Sequence, residues 1–118
     1  MKPQKKYFME CHLAGCQYHD ATEVWESLKI GTAVILEREP ENRFDPNAVA
    51  VKYRDDETGD EYKIGYLPKG ENEQIAVLMD MGWGDIFECR ISQKNPEAHY
   101  EQRIHLILRV KQKPEKEA

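Results

Sequence analysis

Apolar and polar positions alternate along most of the chain, and the alternation predicts strands. From Tyr7 to Gly15, Met9, Cys11 and Leu13 fall on one face, while Phe8, Glu10 and His12 fall on the other. Thr32 to Arg38 reads as a second strand, stopped at Glu39-Pro40 because proline cannot donate to a ladder. Ala48 to Tyr53 has the composition of a buried strand. Asp55 to Asp60 is a polar hairpin connection, with Gly59 suited to a positive φ, and Glu61 to Leu67 returns from it until Pro68. Asp85 to Ile91 and Arg103 to Val110, joined by Ser92 to Gln102, complete about six strands.

Helical spacing occurs in two places. Ala21 to Leu28 is a short candidate, with Asp20 or Thr22 as cap and Val24, Trp25 and Leu28 at helical intervals. Glu71 to Met81 is the stronger one. Its stripe is Ile75, Ala76, Leu78 and Met79, acidic residues sit at its positive end, and Gly82 is the expected C′ residue. Strands in adjacent pairs with short connections predict a mainly β fold, a small antiparallel barrel with two helices. One domain over 7–110 is expected, between a flexible start (1–6) and a charged, flexible tail (111–118).

Composition narrows the function classes. At 118 residues the chain is one ordinary domain. Its mean hydropathy is −0.80, and its longest apolar run, Ile75 to Met79, is far too short to span a bilayer, so no membrane role is expected. Seventeen Lys and Arg face twenty-two Asp and Glu, a net charge of −5, which excludes a globally basic nucleic-acid binder but not a local basic groove. Three cysteines, and no apolar stretch after Met1-Lys2-Pro3, point to a reducing cytoplasm.

The loop Glu41 to Asn47 carries the most informative chemistry. Asn42, Asp45 and Asn47 can bond nearby backbone and hold an irregular turn open. Phe44 is an aromatic among polar residues: its default fate is a peg into the core, its alternative a platform for a stacked base. Cys11, His12, Cys16 and His19 supply enough donors for zinc, but Cys-His-x-x-x-Cys-x-x-His is not a paired framework. On a strand Cys11 and His12 point to opposite faces, which leaves Cys11, Cys16 and His19 as an incomplete set. A core cysteine with surface histidines is the favoured reading, and no cofactor is expected. No nucleophile elbow, metalloprotease pair or phosphate-binding loop is present, so no catalysis is expected.

The pattern Arg38-Glu39-Pro40, then Asn42-x-Phe44-Asp45-Pro46-Asn47-Ala48-x-Ala50-Val51, then Ile64-Gly65-Tyr66-Leu67-Pro68, resembles a HIRAN domain over about residues 7 to 110. Gly15-x-x-Tyr18 and the helix after Pro68 fit the same likeness. The resemblance implies an OB-like or SH3-like barrel that binds DNA. Family members stand before Swi/Snf-type ATPases in DNA repair, beside nuclease modules, or alone. One branch holds the 3′ end of single-stranded DNA. Carried over, Tyr18 would stack and Phe44 would stack where that branch has tyrosine. Asp45 would accept from a terminal hydroxyl, Tyr66 stands where that branch has histidine, and Lys69 would contact phosphate, with Asn42 and Arg43 beside them. Cys16 and Gln17 replace a basic–aromatic pair of that branch, which removes a positive charge.

The leading expectation is therefore a non-catalytic module for single-stranded DNA or DNA ends, with a helicase or nuclease as candidate partner. The alternative is an acidic adaptor barrel that binds a protein through the same face. A weaker alternative is a zinc-binding accessory to a hydrolase built on Cys11, Cys16 and His19. The charge around Phe44 and Lys69 separates the first two.

Overall fold

The computed structural model describes residues 4–16 and 19–113. Its strands are β1 (Lys5–His12), β2 (Ala33–Arg38), β3 (Val49–Arg54), β4 (Glu61–Tyr66), β5 (Phe87–Lys94) and β6 (Ile104–Lys111), and its helix is α1 (Glu73–Asp80). They form one antiparallel sheet in the order β1-β6-β5-β2-β3-β4. The sheet curls round a core that includes Leu13, Leu28, Val51, Ile64, Ile75, Ile91, Leu106 and Leu108.

Edge strands β1 and β4 meet without a continuous ladder. The seam is held where Ala14 and Tyr66 exchange two backbone hydrogen bonds of 2.9 Å, and by the Asp20 N–H donating to the Lys63 carbonyl at 2.9 Å. Gly65 makes this approach possible. A Cβ there would lie 2.5 Å from the Ala14 carbonyl oxygen and 2.8 Å from the Leu13 side chain, closer than real Cβ atoms come.

The ladder extends beyond 7–110 at both ends: Lys5 pairs with Lys111, and Gln112 donates its N–H to the Gln4 carbonyl at 2.8 Å. A bulge between Tyr7 and Met9 corrects the predicted alternation of β1. Phe8 leaves the face of Glu10 and packs edge-on against Phe87, with ring centroids 5.3 Å apart. Cys11 and Leu13 are buried as the pattern requires.

The helix expected over 21–28 does not form. Ala21 and Leu28 are buried, but between them run turns that end in a single 3-10 turn, Trp25–Ser27. β-Branched Thr22 and Val24 weaken so short a helix. The Trp25 carbonyl accepts the Leu28 N–H at 3.1 Å, which closes the 3-10 turn, and Lys94 Nζ at 2.6 Å. The second helix is present and ends as the sequence predicts. Gly82 has φ +90°, its N–H donates to the Met79 carbonyl at 3.1 Å, and the Trp83 N–H donates to Leu78 at 2.9 Å.

Candidate nucleic-acid interface

The loop that leaves β2 is built to be rigid. Arg38 holds its two ends: the guanidinium donates to the Ala48 carbonyl (2.8 Å) and the Pro46 carbonyl (3.0 Å), and binds both carboxylate oxygens of Asp80 on α1 at 2.9 and 3.0 Å. Within the loop, Asn42 Oδ1 accepts from the N–H groups of Phe44 (2.9 Å) and Asp45 (3.1 Å). Asp45 Oδ1 accepts from the Asn47 N–H at 2.9 Å, and Oδ2 accepts from Asn72 Nδ2 at 2.8 Å. Asn72 is only 1% exposed.

These bonds aim Phe44 outward. Its side chain is 84% exposed, so the expectation of a peg into the core is overturned: the turn bonds of Asn42 fix the backbone so that the ring cannot swing inward. Lys69 Nζ donates to the Phe44 carbonyl at 3.0 Å and brings a cation to the base of the ring.

Opposite the loop, Tyr66 forms a wall. Its hydroxyl donates to Glu39 Oε1 at 2.7 Å and accepts from Lys63 Nζ at 3.1 Å. Lys63 pairs with Glu39 Oε2 at 2.6 Å, and Asn42 Nδ2 donates to Glu39 Oε1 at 3.2 Å. Burial acts to raise the Glu39 carboxyl, but the hydrogen bonds from Lys63, Tyr66 and Asn42 outweigh it and hold the group below its ordinary range. His19 packs edge-on against Tyr66 at 5.3 Å between centroids. Burial, aided by the charge of Lys63, lowers its pKa and keeps the imidazole neutral at neutral pH.

The result is an open groove of about 590 Å³, lined by Ala14, Gly15, His19, Asn42, Phe44, Asp45, Ala48, Tyr66, Leu67 and Lys69. Five of the seven residues named from sequence for nucleic-acid contact thus meet in one cavity: Asn42, Phe44, Asp45, Tyr66 and Lys69. Arg43 is exposed beside Phe44 but does not line the groove. Tyr18 lies outside the described residues. The lining balances one cation, Lys69, against one anion, Asp45.

The cysteine–histidine candidates diverge. Cys11 lies in the core, where burial pushes its thiol up to about 12. Cys16 is buried beside a smaller cavity with Trp25, Tyr100 and Arg103, and donates to the Tyr100 carbonyl at 3.1 Å. His19 lines the main groove. Among the described residues no group of three or more His, Cys, Asp or Glu is placed to hold a metal ion.

Sequence reasoning missed Arg38 as the clamp, Asn72 as the buried support of Asp45, and the Glu39–Lys63 pair behind Tyr66. Asn72 fell inside the helix expected from Glu71, whereas α1 starts at Glu73 and the Asn72 side chain is left free to reach Asp45. The Arg38-Glu39-Pro40 motif was the available signal for the other two.

Comparison with known proteins gives a coherent set. The model of the HIRAN domain family matches residues 6–111. A rice protein (Oryza sativa subsp. japonica) described as a Fanconi-associated nuclease 1 homolog is 31% identical over 77 residues, 65% of this chain and 7% of that protein. The chain therefore spans only a small part of the length of this relative. Among solved structures, a Lactobacillus plantarum protein superposes with a TM-score of 0.74 at 23% identity, covering 95% of this chain and all of that one. The HIRAN domain of human HLTF superposes with a TM-score of 0.61 at 21% identity, covering 92% and 80%. At these identities the two structures speak for the fold.

Proposed function

Because the chain belongs to the HIRAN domain family, we propose that it is a nucleic-acid-binding module without catalysis of its own, and that its groove receives a single strand or a strand end. The observation that carries this reading is Phe44: a large aromatic ring, 84% exposed on a rigid loop, at the mouth of a groove that also holds Lys69. Exposing such a ring costs hydrophobic free energy, and a stacked base returns it. Lys69 and Arg43 contact phosphate, Tyr66 flanks the next base or sugar, and Asn42 holds the loop in shape. Asp45 keeps lone pairs beyond its two bonds and accepts from a terminal 3′ hydroxyl.

Absence of catalysis fits the state of the groove's carboxylates. Asp45, which lines the groove, and Glu39, which lies behind Tyr66, are both bonded into the fold. The rice relative is named as a nuclease homolog, which supports a module that presents a strand to a separate nuclease or helicase unit.

Fluorescence anisotropy with labelled single strands, ending in a free or a blocked 3′ hydroxyl, tests the reading. Binding that weakens on blocking supports the end-capture role of Asp45. Equal binding of both ends refutes that role and leaves a general strand binder. No binding of either at about 50 mM salt, where phosphate contacts are strongest, refutes the nucleic-acid reading in favour of a protein partner.

A further inference from the structure

Away from the groove, the outward face of β1, β6 and β5 concentrates positive charge in a protein of net charge −5. Lys5 lies directly opposite Lys111, and Arg109 lies between Tyr7 on one side and Glu88 on the other. Directly opposed residues share a face, and like charges in that relation destabilise a sheet. Glu88 meets three cations: Lys5 bonds its Oε2, while Arg90 and Arg109 approach its Oε1 at 3.5 and 3.8 Å. One carboxylate neutralises one of them. Glu10, opposite Ile107 in the next row, makes no ion pair among the described residues, and with Lys5, Arg90, Arg109 and Lys111 against Glu88 and Glu10 the face is net positive. Tyr7, 66% exposed, adds an aromatic surface to the same row.

We propose that this basic sheet face is a second contact surface for nucleic acid, binding the phosphate backbone of duplex DNA. The proposal rests on the nucleic-acid reading of the groove. Arg90, whose Nη1 also donates to the Gly31 carbonyl at 2.7 Å, and Arg109 are its main phosphate contacts, since their remaining guanidinium N–H groups can donate outward. Like charges accumulate across three strands because the partner they face is a polyanion.

The test uses a labelled duplex with a short 3′ single-stranded tail, and the tail strand alone, titrated between about 50 and 200 mM salt. Arg90→Ser/Arg109→Ser is expected to make the dependence of log affinity on log salt shallower by about 1.8 for the tailed duplex, the loss of two duplex phosphates. Arg90→Lys/Arg109→Lys restores the slope, which separates charge from packing. Phe44→Ala is expected to weaken both ligands with no change in slope. A serine double variant with the wild-type slope, while Phe44→Ala still weakens binding, overturns the second surface and leaves the groove reading intact. Absence of wild-type binding to either DNA overturns both. Capture of anionic phospholipid vesicles, lost in the serine double variant, in a protein that binds no DNA would assign the face to a membrane instead.

Discussion

Asp45 provides the sharpest test of how this loop works, because the structure gives it two supporting duties and the proposed function gives it a third. Asp45→Ala removes the bond from the Asn47 N–H and the bond from Asn72. Hydrogen bonds to a charged partner contribute about 1.5–3 kcal/mol each, and the half-exposed position of Asp45 places both at the lower end. The Asn72 bond weighs more, since an amide 1% exposed is left without its acceptor, at a further cost of about 1–3 kcal/mol. A total of about 4 kcal/mol or more corresponds to a fall in Tm of roughly 15 °C or more for a domain this size. Asp45→Asn is expected to fall between, because an amide offers one acceptor oxygen and serves Asn72 or the Asn47 N–H but not both. Urea unfolding of wild type, Asp45→Ala, Asn72→Ala and the double variant forms a cycle that isolates the pair, with an expected coupling of 1 kcal/mol or more at unchanged m-value. Coupling near zero, with Asp45→Ala as stable as wild type, would refute the buttress and return Asp45 to a purely ligand-facing role.

Other outcomes follow from the same geometry. Gly65→Ala is expected to open the seam and cost about 2 kcal/mol or more, read as a lower Tm with faster amide exchange at Ala14 and Tyr66. Phe44→Ala should weaken single-strand affinity by about 1–3 kcal/mol and leave Tm within error, since an exposed ring contributes no packing. Glu39 is held below its ordinary carboxyl range in the folded state, so its stabilising contribution is complete above that range and is lost as pH falls through the folded value. Glu39→Gln should therefore flatten the acid side of the stability profile, measured by urea unfolding between about pH 5 and pH 2. Cys11 should resist alkylation at mildly alkaline pH in the native protein and react once unfolded, because burial disfavours its thiolate.

The strands were legible because each has one face in the core, and a period of two records that directly in the sequence. Burial of Leu106, Leu108, Cys89 and Ile91 follows from alternation alone. The bulge at Phe8 was not legible: an inserted residue shifts the phase without leaving a local mark, and only pairing with β6 reveals it. The 21–28 segment misled because helical spacing was real, yet a partner of its Trp25 carbonyl, Lys94, comes from far along the chain. Most of the groove, a stacking Phe44 included, was found through a motif, whereas hydrophobicity alone pointed the ring the other way. Hydrophobicity sends a phenylalanine inward, and the two Asn42 bonds that send it outward are local polar contacts whose geometry a residue list does not contain. Asn72 stayed hidden because its partner, Asp45, lies on another element.

The seam between β1 and β4 has one more consequence. Ala14 and Tyr66, whose two hydrogen bonds fasten it, are also lining residues of the groove. The clasp of the barrel and the jaw of the binding site are therefore the same backbone pair. On the proposed function, a strand that spans from the Gly15 side to Tyr66 would act as a staple across this join, and by linkage tight binding and a closed barrel would reinforce each other. Local opening of this seam would therefore change the shape of the groove as well.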